Sequence, residues 1–100
     1  MPQLENWDVR RHSNDPYLAP ECWPYILHGT VSGHPELPDD RQVQTSRLVR
    51  IDWQTKIAVT SNRTYQLGTP APAFVESVEK NYGGVSLYLQ GLNKILQRNL

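Results

Sequence analysis

The segment LHGTVSGHPELPDD, residues 27–40, contains the side chains of this chain that are best suited to metal or acid–base chemistry. His28 and His34 lie six residues apart, and two aspartates close the segment. Zinc sites usually need closely spaced ligand pairs or several thiolates, whereas two prolines separate these groups and the chain has one cysteine. We therefore predict that His28 lies on the polar face of a strand, that His34 lies in the following turn, and that no metal is bound.

The candidates for covalent or acid–base catalysis are also weak. Cys22 has no basic neighbour in sequence that would activate it as a nucleophile, and Glu21 beside it is acidic. The carboxylates of residues 36–40 belong to a predicted turn, where no apolar surroundings favour a general acid. Gly83 and Gly84 are not followed by the Lys-Ser or Lys-Thr pair of a phosphate-binding loop. The sequence thus predicts no catalytic residue, no cofactor and no enzymatic activity.

Length and composition predict one domain over residues 1–100. Hydrophobic residues make up 38% of the chain and charged residues 20%, values typical of a chain that folds around a modest core. No apolar run approaches the ~20 residues of a membrane-spanning helix. Residues 1–12 lack the apolar stretch of a signal peptide, and a single cysteine allows no internal disulfide. These features predict a cytoplasmic protein without a membrane partner.

The charges are unevenly distributed although the net charge is zero. Residues 1–40 carry seven acidic against two basic residues, whereas residues 41–63 carry five basic against one acidic. The middle segment is therefore predicted to present a basic face to a macromolecular partner, unless the acidic first part folds over it. The side chains expected to make these contacts are Arg47, Arg50, Trp53 and Arg63.

The first 24 residues contain four prolines and little periodicity, which predicts an extended N-terminal arm that wraps the domain. Its aromatic residues Tyr17 and Trp23 are expected to dock on the core. Alternating apolar and polar residues then predict a β-region over residues 25–68. The predicted strands cover residues 25–32, 43–52, 57–61 and 64–68.

Two details of these strands bear on the candidate contacts. Gly29 is expected to mark a bulge or a close backbone approach. Val49 and Ile51 fall on one face of the second strand and Leu48 on the other, so a bulge is expected there. In a regular strand, however, residues 47 and 50 point to opposite faces, which argues against a single arginine-rich face.

Helical periodicity follows over residues 69–100. A Thr-Pro pair at 69–70 predicts a helix start, and the glycine pair at 83–84 predicts its end. The second helix has an apolar stripe, which is expected to pack on the sheet or, if exposed, to form a homodimer. This stripe consists of Val85, Tyr88, Leu89, Leu92, Ile95 and Leu96. The predicted fold is α+β: a small antiparallel sheet or SH3-like barrel over residues 25–67, then one broken or two short helices.

The segment HGTVSGHPELPDDRQVQTSRLVRID, with YQLG downstream, resembles small bacterial and mobile-element proteins that have no assigned activity. These proteins share the pattern GTVxGHPxLPDG, TSxxVxID and YxLG, which corresponds to roughly residues 25–68. The chain departs from the pattern at Asp40, where glycine would adopt the turn more easily. The resemblance implies a β-turn framework in which Thr45 and Ser46 form hydrogen bonds back to the turn. It implies no catalytic residues.

Two functional hypotheses follow. The first is a non-enzymatic protein-binding module that acts by occlusion through the basic, aromatic face. The resemblance suggests an inhibitor of host machinery encoded by a phage or other mobile element, of the anti-CRISPR or counter-defence type. The alternative is a small nucleic-acid-binding β-barrel that uses the same face for stacking and phosphate contacts. The neutral net charge favours a protein partner over a nucleic acid.

Overall fold

The computed structural model describes residues 1–13 and 15–98 and shows an α+β fold, which confirms the predicted class. Six strands form one sheet in the order β3-β2-β1-β6-β5-β4. Two helices, α1 and α2, follow the sheet in sequence. The strands are β1 (Gln3–Arg11), β2 (Tyr25–Ser32), β3 (Arg41–Gln44), β4 (Leu48–Asp52), β5 (Ile57–Thr60) and β6 (Thr64–Leu67). The helices are α1 (Pro72–Tyr82) and α2 (Val85–Arg98).

The sheet is open and mixed, so neither the purely antiparallel arrangement nor a closed barrel describes it. β1 pairs with β6 in parallel, and the other neighbouring strands pair antiparallel. At the two ends of the sheet, β3 and β4 are the edge strands. The described helices include none with the length and apolar character needed to cross a membrane.

An extended N-terminal arm is predicted over the first 24 residues, but Gln3–Arg11 form strand β1 in the middle of the sheet, between β2 and β6. The prediction of an arm is therefore wrong for these residues. A bulge between Glu5 and Asp8, with Asn6 at a φ of 52°, interrupts the regular alternation of the strand. It allows Leu4 and Trp7, three residues apart, to be fully buried on the same side. A period-two search fails on this pattern, which explains why the segment looks irregular in sequence.

Gly29 on β2 makes this bulge possible, as its position in the predicted strand suggested. A Cβ atom at residue 29 would lie 2.9 Å from the carbonyl oxygen of Glu5 and 3.1 Å from the Cα of Trp7. The bulged backbone of β1 therefore occupies the space that a side chain at this position would need.

The predicted strand over residues 43–52 is two strands, because the chain leaves β3 after Gln44 and begins β4 at Leu48. The expected bulge in this region is confirmed by a register shift between Leu48 and Arg50. As in β1, the bulge buries two residues three apart, Leu48 and Ile51. The other predicted strands lie within one residue of β2, β5 and β6.

Helix α1 begins at Pro72 with Ala71 as its N-cap, rather than at the predicted Thr69 and Pro70. Residues 68–71 still pair with β1: the Thr69 carbonyl accepts a hydrogen bond from Asn6 N at 2.8 Å. Gly83 ends α1 in the left-handed conformation, with a φ of 85°, as predicted. The last two residues of the predicted helical region lie outside the described residues.

The core centres on Trp7 rather than on the aromatics expected to dock. The indole of Trp7 contacts Trp53 at 6.2 Å and Phe74 at 5.6 Å between ring centroids. Tyr17 is 95% exposed, so its predicted docking is wrong, whereas Trp23 is half-buried and donates a hydrogen bond to Leu18 O. Helix α2 covers the sheet with Leu89, Leu92 and Leu96.

The turn after β2 shows why its polar residues are structural. The Nδ1 atom of His34 accepts a hydrogen bond from Glu36 N at 3.0 Å, which places His34 in the turn as predicted. The carboxylate of Asp39 accepts one from Gly33 N at 2.9 Å. Asp40 adopts the conformation expected of glycine, with a φ of 64°. The resemblance implies that the hydroxyls of Thr45 and Ser46 form hydrogen bonds back to this turn. Both hydroxyls do accept hydrogen bonds from backbone N–H groups, but the donors are Leu27 N and Asn62 N, which lie outside the turn.

Candidate protein-interaction surface

The four residues predicted to contact a partner are spread along β4 and beyond both of its ends. Arg47 and Arg63 lie near one end of the β4–β5 hairpin, where Ser61 N donates to Arg47 O at 2.9 Å. Trp53 follows the other end of β4, six residues from Arg47, which corresponds to about 20 Å of extended chain. Arg50 lies between them. A single contact surface over all four side chains would therefore have to run along the whole of β4.

The indole of Trp53 already has two aromatic or cationic contacts within the chain. The Nζ atom of Lys56 lies 3.3 Å from the ring centroid and donates a hydrogen bond to Trp53 O. Trp7 meets the same indole edge to face. These contacts give Trp53 a structural role and leave less of its ring for stacking on a partner.

The bulge in β4 changes the expected directions of the arginines. Leu48 and Ile51, three residues apart, are both buried, and Arg47 and Arg50, which precede them, are both exposed. The expectation of opposite faces assumed a regular strand, and the bulge removes that regularity.

A more prominent surface lies along α2 and the end of α1, apart from the four predicted contact residues. Tyr82 and Leu87 are each 57% exposed, and Ile95 is 41% exposed, although Ile95 was expected in the buried stripe. Leu87, Gly91 and Ile95 are spaced four apart, so they form a second stripe on α2. Apart from the adjoining backbone of α2 itself, no atom lies within 4 Å of the position that a Cβ of Gly91 would take, which leaves the middle of this stripe open.

This stripe borders a cavity of about 380 Å³ between α2 and the sheet, which we call the aromatic groove. Its apolar wall is made by Val9, Tyr25, Tyr82, Leu87, Tyr88 and Ile95. Tyr82 and Tyr88 pack edge to face at 5.0 Å, and Phe74 extends this contact to Trp7 in the core. The aromatic side chains of the groove are therefore fixed in place by the core behind them.

A second cavity of about 580 Å³ adjoins the aromatic groove and lies between the first residues of β2 and of β4. We call it the seam cavity; it includes Arg11, Cys22, Trp23, Tyr25, Arg47 and Val49 among its lining residues. The two cavities share Arg11, Tyr25 and Ile95. Together they form a continuous surface whose volume is in the range of ligand-binding clefts, ~300–1,000 Å³.

Arg11 lies at the junction of the two cavities and is held by backbone groups. Its Nε donates to Trp23 O at 3.2 Å and its Nη2 donates to Glu21 O. Its guanidinium lies over the ring of Tyr25, 5.1 Å from the centroid. Within residues 1–13 and 15–98, the one ion pair is Arg10 with Asp8, so no described carboxylate neutralises Arg11. The site thus contains a positioned cation that is available to an anionic group.

Charge and protonation make this surface receptive to acidic groups. The two cavities are lined by three basic residues, Arg10, Arg11 and Arg47, of which Arg10 is paired with Asp8, and by one acidic residue, Glu21. Lys94 and Arg98 follow Gly91 by three and seven residues, so they lie on the same exposed side of α2. Burial, and then the nearby Tyr25 and Tyr82, raises the pKa of Tyr88 to about 12. The Tyr88 hydroxyl is therefore uncharged at neutral pH.

The other candidate sites have less structure around them. A third cavity, of about 160 Å³, is lined by Trp53, Asn93 and other residues, and Asn93 is bonded to β4. The described part of the chain has no group of three or more His, Cys, Asp or Glu residues placed to hold a metal ion. Comparisons with protein-family models, with curated proteins and with solved structures gave no match to this chain.

Proposed function

We propose that this chain is a non-enzymatic protein-binding module that binds an acidic segment of a partner protein in the aromatic groove and seam cavity. The observation that carries this proposal is the position of Tyr82, Leu87 and Ile95, which are exposed beside an open cavity. Exposed apolar side chains that line a cleft, with cations nearby, are typical of protein-interaction sites. The core contacts of Tyr88 keep the groove rigid, which lowers the entropy cost of binding.

Charge favours an acidic partner over a second copy of this chain. In a two-fold symmetric dimer the same patch meets itself. Such a dimer through α2 would bring Arg11, Lys94 and Arg98 of both copies close together, and none of these cations has a carboxylate partner among the described residues. An acidic segment would instead neutralise them while its apolar side chains fill the groove. The homodimer through the C-terminal helix remains an alternative outcome of the binding experiment.

The nucleic-acid alternative has weaker support. Stacking of bases requires free aromatic faces, and Lys56 lies over the ring of Trp53. The wall of the groove contains aliphatic residues such as Val9, Leu87 and Ile95, which suit protein side chains better than phosphates. Contacts through Arg47, Arg50, Trp53 and Arg63 stay a prediction, as do inhibition of host machinery and a cytoplasmic location.

Selection from a random library of twelve-residue peptides tests the proposal. The parent chain is expected to enrich peptides that combine aspartate or glutamate with apolar residues. Ile95→Asp places a carboxylate in the groove and should lower the affinity for these peptides by at least about tenfold, as measured by fluorescence anisotropy. Gln97→Asp is the matched control, because it introduces the same charge at an exposed position on another side of α2.

Three results would contradict the proposal. The first is a selection that enriches no sequence class, and the second is equal weakening by Ile95→Asp and Gln97→Asp. The third is binding of single-stranded nucleic acid in place of peptides, with loss on Arg50→Ala and no change on Ile95→Asp. A dimer seen by analytical ultracentrifugation and disrupted by Ile95→Asp would replace the partner peptide with a second copy.

A further inference from the structure

The first residues of β2 have a free backbone edge that faces the seam cavity. β3 pairs with β2 only from His28 to Val31. Beyond this ladder, Leu27 O accepts a hydrogen bond from Thr45 N at 2.8 Å, and Leu27 N donates to the Thr45 hydroxyl at 3.0 Å. Thr45 therefore ends the pairing on this side of β2, two residues after β2 has begun.

Strand alternation places the backbone groups of Tyr25 on this free edge. Pro24 O accepts a hydrogen bond from His12 N at 3.1 Å, so residue 24 faces β1. Residues 25 and 27 then face the opposite direction, because neighbouring residues of a strand alternate. No backbone hydrogen bond from Tyr25 toward that side is present within residues 1–13 and 15–98. Its N–H and C=O are available to an added strand.

The opposite wall of the seam cavity is the start of β4, which is an edge strand. Further along β4 the edge is covered, because the side-chain amide of Asn93 bonds both Ile51 N and Ile51 O. At Leu48 and Val49 the edge instead lines the cavity. The gap between β2 and β4 thus exposes backbone on one wall and an edge strand on the other.

We propose that the partner segment binds as an extended strand, paired with the Tyr25 edge of β2 inside the seam cavity, with its carboxylates against Arg11 and Arg47. This inference rests on the proposed function and specifies the conformation of the partner. Added strands gain affinity from main-chain hydrogen bonds and specificity from alternate side chains. The two arginines border the cavity, and Arg11 is already fixed by Trp23 O, so it can receive a carboxylate without rearrangement.

An N-methyl scan of a peptide selected on the parent chain tests the strand pairing. Each synthetic peptide carries one methylated backbone nitrogen, which removes one donor and leaves the side chains unchanged. Strand pairing predicts a loss of affinity of about tenfold or more at the one peptide nitrogen that donates to Tyr25 O, and small changes at the positions on either side of it. Equal tolerance at every position would overturn the inference, as would losses at every interior position, which indicate a bound helix because each interior N–H of a helix donates to a carbonyl of the same helix.

The location is tested on the chain itself with its single cysteine. Cys22 is exposed and lines the seam cavity, so a saturating peptide should slow its alkylation by iodoacetamide. An unchanged alkylation rate would place the peptide elsewhere and overturn the inference. Tyr25→Pro removes the N–H of the free edge and should weaken binding more than Tyr25→Val, which removes the ring alone. Circular dichroism would confirm that both variants fold.

These results separate the two proposals. An empty library selection overturns the proposed function, and the strand pairing with it. A selected peptide that Ile95→Asp weakens, but that tolerates methylation at every position, overturns the strand pairing and leaves the proposed function standing.

Discussion

The side-chain amide of Asn93 pairs with the backbone of Ile51 as a neighbouring strand would. Its Oδ1 accepts a hydrogen bond from Ile51 N at 2.9 Å, and its Nδ2 donates to Ile51 O. Because β4 is an edge strand, this contact covers backbone that would otherwise be open to another chain. It also fixes α2 against the sheet, and α2 carries the exposed stripe of the aromatic groove.

Asn93→Ala should therefore destabilise the fold by about 1–3 kcal/mol, because it leaves the Ile51 N–H and C=O without partners. The free energy of unfolding in urea would measure the change. Asn81→Ala is the control, since Asn81 is exposed on α1 and makes only a 3.5 Å contact with Ser77. Equal stability of the Asn93 and Asn81 variants would show that the edge contact contributes nothing.

Gly29 and Gly91 are expected to respond oppositely to alanine. Gly29→Ala places a Cβ 2.9 Å from Glu5 O, so the bulge of β1 must shift, at a cost of about 2 kcal/mol or more. Gly91→Ala meets no atom within 4 Å apart from the adjoining backbone of α2, and it should stabilise α2 by up to about 1 kcal/mol. Thermal unfolding of the two variants checks both signs. A destabilising Gly91→Ala would contradict the open space assigned to the middle of the groove.

Unfolding should depend on pH through Tyr88. Burial raises the pKa of Tyr88 to about 12 in the folded chain, against about 10 when unfolded. The unfolded state therefore loses this proton first, so the stabilisation is complete below pH 10 and is lost as the pH rises toward 12. Because the hydroxyl is only partly buried and solvent screens its charge, the loss is about 1–2 kcal/mol.

Tyr88→Phe tests this assignment with urea unfolding at pH 9 and pH 11.5. The variant should lose less stability between the two pH values than the parent chain. Tyr65, whose pKa burial also raises, remains in both chains and cancels in the comparison. An identical pH dependence in parent and variant would contradict the burial of the Tyr88 hydroxyl.

Trp53→Ala should lower the stability of the fold and leave the affinity for a partner peptide nearly unchanged. The indole packs against Trp7 and Lys56, so its removal should lower the free energy of unfolding by about 2–4 kcal/mol. The affinity for a selected peptide, measured where the variant is still folded, should stay within about threefold of the parent value. A large loss of affinity with unchanged stability would support the sequence-based prediction that Trp53 contacts the partner.

Much of the fold could be predicted from sequence because β2, β5, β6 and both helices follow regular periodicity. The failures occur where a bulge breaks that periodicity. In β1 the bulge buries Leu4 and Trp7, three residues apart, and a period-two pattern does not detect them, whereas the bulge expected in β4 is confirmed. The start of α1 was misplaced because residues 68–71 pair with β1, a long-range contact that local propensities do not contain.

The candidate site was less predictable for a similar reason. The spacing of Leu87, Gly91 and Ile95, four residues apart, is the sequence feature that could have indicated the exposed stripe of the groove. The stronger stripe through Leu89, Leu92 and Leu96 matched the expected buried face, and only the packing of α2 shows that Ile95 lies outside it. Arg11 and Arg47 are distant in sequence, and they line one cavity because β2 and β4 approach each other across the open sheet.

The central claim is that the aromatic groove and seam cavity form the binding surface. Chemical-shift mapping of the ¹⁵N-labelled chain with a selected acidic peptide tests it most directly. We predict that the largest shifts occur at residues 9–11, 22–25, 47–49 and 87–95. Largest shifts at Arg50, Trp53 and Arg63, with the α2 resonances unchanged, would contradict this account and return the binding site to the face predicted from sequence.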